Sequence, residues 1–361
     1  MKFLRHYFWP DLGGFSKQQL DNLQGLSLLL ALTACQPTPP TVQPSFYHWK
    51  SNFQPSHLAE ATLQQLAPQR LYVRFFDVDW DFSRQAAIPK GEVQLNDLAA
   101  LPYAITPTLF ITNRTLKHLP KAEIPVLAER IIQKIQRKAA QANAPLPTTL
   151  QLDCDWTQST RDAFFTLLRA IRESYPELEE LSATIRLHQL RDRNIMGIPP
   201  IDRGMLMYYN MGDLEDWEEE NSILNLEKAA PYEIGFRDYP LPLDLALPIY
   251  SWGLVFRQDR FLQIINDLRS SALTDTTYFE KIAANRYRIR KSTYLNGGYL
   301  YAGDQIRVEE MTPALVGEAC QHLSTYFDAD DFTVAFYHLD SANLNVFNHA
   351  LLEHLLLDLA Q

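Results

Sequence analysis

Cysteine is scarce, with only Cys35, Cys154 and Cys320 in 361 residues. Three scattered thiols build no disulfide framework, and no Cys-x-x-Cys or mixed Cys/His spacing offers a structural zinc site. Cys154 reads as a small apolar residue packed beneath helices. Basic surface is also short. Net charge is −10, with the acids scattered rather than in blocks. The basic stripe that phosphate binding needs is missing, so no nucleic-acid partner is expected. No apolar run reaches the roughly 20 residues of a membrane span. No glycine-rich turn follows the first strand and no Ser sits in a G-x-S-x-G elbow, which disfavours dinucleotide binding and an α/β-hydrolase. No cofactor is expected.

What is present is a large apolar and aromatic inventory, 46% and 12% of the chain, enough for a sizeable core. Residues 26–35, "LSLLLALTAC", have the length of a signal-peptide hydrophobic segment. Leu32-Thr33-Ala34-Cys35 resembles a bacterial lipobox, in which Cys35 is lipidated and becomes the first mature residue. Residues 1–25 include Asp11 and Asp21, where a short basic segment is usual. The alternative is an amphipathic helix that ends in Ala-Cys. On the lipobox reading, 1–35 is a signal segment, 36–45 a Pro- and Thr-containing tether, and 46–361 the folded domain. The protein is then anchored to the bacterial envelope through lipid, and Gln36 favours the outer membrane in a Gram-negative host.

From residue 45 onward, short apolar runs alternate with helical periodicity. Strands are expected at 46–49, 70–80, 104–112, 148–156, 181–188, 204–210, 243–252 and 332–339. Helices are expected after the Pro55-Ser56 start, over "PKAEIPVLAERIIQKIQRKAAQ", over "QSTRDAFFTLLRAIRESYP", over "LEDWEEENSILNLEKAA" and at the carboxyl end. Eight strands, most followed by a helix, predict an α/β fold, a (β/α)8 TIM barrel. An open doubly wound sheet is the runner-up. About 257–328 form an insertion between strands seven and eight, too long to lack structure of its own. It should hold a helix near "DRFLQIINDLRSS" and a hairpin turning at Asn296-Gly297-Gly298.

In such barrels the site forms at the carboxyl ends of the strands. Polar and aromatic residues gather there. They are His48, Trp49 and Lys50; Arg74, Asp77 and Asp79; Asp153 and Asp155; Arg186 and His188; Tyr208, Tyr209 and Asn210; Tyr250 and Trp252; Tyr337 and His338. Asp153 and Asp155 share one face of a strand, with Cβ atoms about 6.6 Å apart. Two such carboxylates can share a proton, or Arg74 or Arg186 can neutralise them as an ion-paired cluster. A second carboxylate within about 10 Å of Asp155 across an open groove favours catalysis, and a site plugged by Arg74 or Arg186 pairing both acids favours binding or structure. His48, His188 and His338 would permit a metallohydrolase, although no H-x-H or H-E-x-x-H spacing supports one and no metal site is expected.

"LDCDW" (152–156) resembles the fourth-strand signature of family 18 glycoside hydrolases, the chitinase type, D-x-x-D-x-D-W-E. "MYYN" (207–210) is similar to that family's sixth-strand M-x-Y-[D/N], and an α+β insertion between strands seven and eight occurs in many members. The chain also resembles bacterial lipoproteins. The resemblance implies a barrel acting on a polysaccharide, in which the substrate's N-acetyl group attacks, Asp155 orients it and the Glu after the Trp donates a proton. Here that Glu is Thr157 and the first Asp is Leu150. Asp77 or Asp79 could supply the missing carboxylate across from Asp155, given spacings of about 5–5.5 Å or 6.5–9.5 Å. Three functions follow as expectations: a surface-tethered glycoside hydrolase using Asp153, Asp155, Asp77 and Asp79; an inactive glycan-binding barrel; or a metal-dependent hydrolase. Trp49, Arg74, His188, Tyr208, Tyr209, Asn210, Tyr250, Trp252 and Tyr337 are the expected substrate contacts.

Overall fold

A computed structural model describes residues 41–327 and 331–360. Cys35 and the segment expected to carry the signal lie outside the described residues. Eight parallel strands close on themselves: β1 (Thr41–His48), β2 (Arg70–Asp81), β3 (Ala104–Ile111), β4 (Thr149–Asp153), β5 (Glu180–Arg186), β6 (Arg203–Met207), β7 (Leu243–Pro248) and β8 (Asp331–Tyr337). β8 returns beside β1, with Phe46 opposite Phe336, while Tyr47 of β1 faces Tyr72 of β2. This is the expected (β/α)8 barrel. β1 starts at Thr41, inside the segment expected to be a tether.

The helices follow from local rules. α1 (His57–Leu66) begins where Ser56 accepts the amide of Ala59, satisfying an otherwise unpaired N–H. α3 (Ile124–Gln141) follows the short α2 (Asn113–His118) and carries a Pro at its start. It buries Ile124, Leu127, Ala128, Ile131, Ile132 and Ile135, the i, i+3, i+4 stripe that faces a sheet. α4 (Arg161–Ser174) presents Phe164, Leu167, Leu168 and Ile171 likewise. Its Phe164 stacks on Trp156 at 5.2 Å between ring centres.

Alternation along β4 sorts its side chains. Leu150, Leu152, Cys154 and Trp156 turn to the helices and are fully buried there. Gln151 turns into the barrel, where it accepts the Tyr47 hydroxyl at 2.6 Å beside the stacked Tyr47–Tyr72 pair. Asp153 follows on the same face, one step nearer the mouth. Asp153 therefore belongs to a polar lumen end, not to a dry core; the strand stops there, short of the expected Trp156, and Asp155 lies beyond it.

Three expectations fail. "DRFLQIINDLRSS" is no helix. Gln258 and Asp259 both take left-handed φ angles, 51° and 60°, and turn the chain into an antiparallel strand, Arg260–Asn266, beside Ser251–Arg257. Cross-strand pairing outweighs a pattern that also fits helical spacing. The insertion thus starts at Ser251, as a five-stranded sheet with its own core of Val255, Ile265, Leu268, Ile306 and Val308. Its hairpin Thr293–Leu295/Gly298–Leu300 turns at Asn296-Gly297 as anticipated. "LEDWEEENSILNLEKAA" is mostly loop, with one helical turn at Leu226–Ala229. Asp213, Asp216 and Asn221 accept nearby amides through their side chains, competing with helix formation. The closing segment breaks into Ser341–Leu344 and His349–Leu359, where Asn348 caps the second piece.

Candidate functional site

An open cleft of about 380 Å³ lies at the barrel mouth, between the strand ends and the insertion. Trp49, Asp153, Tyr209, Asn210, Tyr250, Trp252 and Tyr337, all expected there, line it, joined by Arg186 and His338. The rings form a continuous wall. Tyr337 lies 6.1 Å from Trp49, 5.5 Å from Tyr209 and 5.6 Å from Tyr250, and Tyr250 lies 5.3 Å from Trp252. Aromatic faces of this kind offer apolar area with fixed orientation.

Several rings are pinned from behind. The Tyr250 hydroxyl donates to Asn210 Oδ1 at 2.8 Å, and Asn210 itself takes a left-handed φ of 59°, which Asn tolerates. Trp252 Nε1 donates to Glu309 Oε2 at 2.8 Å. Glu309 also receives Arg307 Nε at 2.7 Å, in an ion pair with both side chains fully buried. Arg307 in turn holds the backbone carbonyls of Asp213 and Asp216, so one buried pair fixes both a cleft tryptophan and the loop beside it.

The carboxylates expected to catalyse are all matched with cations. Asp153 is 5% exposed and accepts Thr184 Oγ1 at 2.6 Å, with Arg186 Nη2 at 3.8 Å. Burial pushes its carboxyl upward; Arg186 opposes that and the charge of Asp155 adds to it. Arg186 Nε donates to Asp155, so a single guanidinium bridges both acids. Asp77 is gripped by Arg74, whose Nε lies 2.8 Å from Oδ1. The same guanidinium sits 5.7 Å from the Trp49 ring centre.

Some expected residues lie elsewhere. Asp79 does not line the cleft. Burial disfavours its charge, yet hydrogen bonds from Arg114, Lys90, Thr112 and the Trp80 amide hold it far below the usual carboxylate range. It ties the end of β2 to the start of α2. Tyr208 points away because Met207 and Tyr209 take the lumen side, and its hydroxyl donates to Glu233 at 2.9 Å. His188 and Asp155 line a smaller adjoining hollow with Tyr232. The three histidines do not converge, and among the described residues no group of three His, Cys, Asp or Glu could hold a metal. Thr157 belongs to the turn before α4, with Oγ1 3.0 Å from Ser159 Oγ. Ser251, Asn266 and Asp267 line the cleft without having been anticipated. The last two sit at the end of the strand expected to be a helix, and the alternation Phe261, Gln263, Ile265 was the available signal.

No family model and no curated protein sequence matches the chain. Solved structures do. The chain is similar to a chitinase from Chromobacterium violaceum, at 10% identity and TM-score 0.50, over 88% of this chain and 99% of that one. It is similar to the spore cortex-lytic enzyme SleL of Bacillus megaterium, at 12% identity and TM-score 0.54, over 88% and 75%. It is also similar to the GH18 chitinase ChiB of Flavobacterium johnsoniae, at 12% identity and TM-score 0.51, over 89% and 94%. The likeness is one of fold.

Proposed function

We propose that this glycoside-hydrolase-like barrel binds a polysaccharide or oligosaccharide at its mouth and does not hydrolyse it by the family 18 route. The observation that carries this is the single guanidinium of Arg186 bridging Asp153 and Asp155 beneath a wall of five aromatic residues. Both acids are engaged, and Thr157 has no ionisable proton to give a leaving group. The rings and the polar groups among them suit a sugar, with apolar faces for stacking and fixed donors for hydroxyls. The likeness to chitinases and to a cortex-lytic enzyme supports a glycan as the ligand.

A hydrolytic reading has one observation in its favour: burial raises the carboxyl of Asp153, the direction in which a general acid is tuned. Both readings are separated with protein starting at residue 36. Binding to chitin and peptidoglycan fragments is measured by calorimetry and reducing-sugar release is measured in parallel, each beside an Asp153→Asn/Asp155→Asn variant. Binding without release is expected. Release that the double variant abolishes overturns the binding reading in favour of hydrolysis, and no binding across the panel overturns both. The lipobox-like Cys35 supports a lipid anchor at the envelope as part of this proposal; Cys35→Ser should move the protein from the membrane fraction to the soluble one.

A further inference from the structure

The wall contributed by the insertion carries chemistry of its own. Ser251 and Asp267 line the cleft beside Trp252, with the Asp267 amide donating to the Ser251 carbonyl at 2.9 Å. Ser251 is 2% exposed, and its hydroxyl has no hydrogen-bond partner among the described residues. A buried hydroxyl left unpaired on a cleft wall is a place for a ligand atom. Asp267 takes a left-handed φ of 56°, which Asp tolerates, as the chain leaves the strand. Among the described residues no Lys, Arg or His comes within 4.0 Å of its carboxylate.

The charges around it do not cancel. Asp153, Asp155, Asp77, Asp267 and Glu310 face Arg186, Arg74 and Arg269, while Lys50 is engaged by Asp340. The Tyr337 hydroxyl, raised mainly by burial and then by Asp153, also feels Asp267, so both carboxylates bear on one phenol of the wall. The mouth therefore combines residual negative charge with aromatic faces, and both attract an ammonium group. A neutral N-acetyl sugar settling here would strip water from Asp267 and give no charge in return, which is costly. A protonated amine offsets that loss.

We propose that the glycan taken by this cleft carries a free amine, a de-N-acetylated amino sugar, with Asp267 as the partner of the ammonium and Ser251 as its neighbouring polar contact. This rests on the binding function proposed above and specifies its ligand class. Glucosamine and N-acetylglucosamine tetramers serve as paired probes, measured by calorimetry at a pH where the amine is protonated. Wild type, Asp267→Asn and the control Asp275→Asn, an exposed acid of the insertion, are compared. Wild type and Asp275→Asn should both favour the glucosamine tetramer by about tenfold or more, and Asp267→Asn should narrow that ratio to about twofold. Equal affinity of wild type for the two tetramers overturns the proposal. So does a preference that survives in Asp267→Asn, or one that Asp275→Asn also removes. Tight binding of the acetylated tetramer alone overturns it while leaving the glycan-binding function standing; binding of neither tetramer overturns both.

Discussion

The two ends of the barrel handle buried charge differently. At the amino-terminal end of the strands, Arg70 pairs with Glu180, and Arg203 meets Asp244 at 3.1 Å. Asp244 also receives the Thr333 amide at 2.7 Å, and Ser45 closes on the Arg70 carbonyl at 2.8 Å. Only about 90 Å³ remains open there. At the mouth the strand ends and the insertion leave about 380 Å³, an excess of carboxylates and, among the described residues, a Ser251 hydroxyl and a His338 Nδ1 without hydrogen-bond partners. Charge at the base serves closure, because each group meets an opposite charge or an amide. Charge at the mouth is left for something else to complete.

This contrast can be broken from either end. The largest effect is expected at the base, where Asp244→Ala leaves Arg203 and the Thr333 amide without their acceptor. Loss of one partner of a buried pair should cost about 3–5 kcal/mol, read as a fall in the urea midpoint, with glycan affinity of the folded fraction unchanged.

Next comes His338 at the mouth. Burial, followed by the charges of Lys50 and His48, lowers its pKa from 6.5 to about 4. The unfolded chain therefore takes up its proton first, so stability present above pH 6.5 is lost as pH falls toward 4. His338→Gln should gain on wild type by up to about 3 kcal/mol over that window, measured as the difference in unfolding free energy at its two ends. Asp244, pushed up to about 6 mainly by burial, slopes the other way, but it is common to both proteins and cancels in the difference.

A smaller effect is expected from Trp49→Ala, which removes a half-buried ring of the wall. Glycan affinity should drop about tenfold, near 1.4 kcal/mol, with a minor change in urea midpoint. The smallest concerns Thr157→Glu. With Arg186 still bridging Asp153 and Asp155, sugar release should stay at the wild-type level; a clear rise would make the missing acid, not the arginine bridge, the cause of inactivity.

Much of the barrel was legible because its strands are short buried runs separated by strongly periodic helices. Ile124 through Ile135 and Phe164 through Ile171 announce their faces without any tertiary knowledge. The mouth was legible in part, since residues at carboxyl strand ends must gather there once the barrel closes. Trp49, Asp153, Tyr209, Asn210, Tyr250, Trp252 and Tyr337 do so. Tyr208 and Asp79 do not. Strand ends twist and cap, so a shift of one residue sends a side chain to another layer. Arg186 as the neutralising cation was one of two candidates, and sequence order offered no means of choosing it over Arg74.

Composition, periodicity and turn chemistry were enough to define a parallel barrel, the helices after its first, third and fourth strands, the hairpin at Asn296-Gly297 and a polar mouth built around Asp153. These properties depend on neighbours a few residues away. Folding in three dimensions settled the strand at Arg260–Asn266, the bridge from Arg186 to two acids, the buried Arg307–Glu309 pair behind Trp252, and the placing of Ser251 and Asp267 in the cleft. Each of these depends on partners that are distant along the chain, or on strand pairing that local periodicity leaves ambiguous, and spacing alone does not encode them.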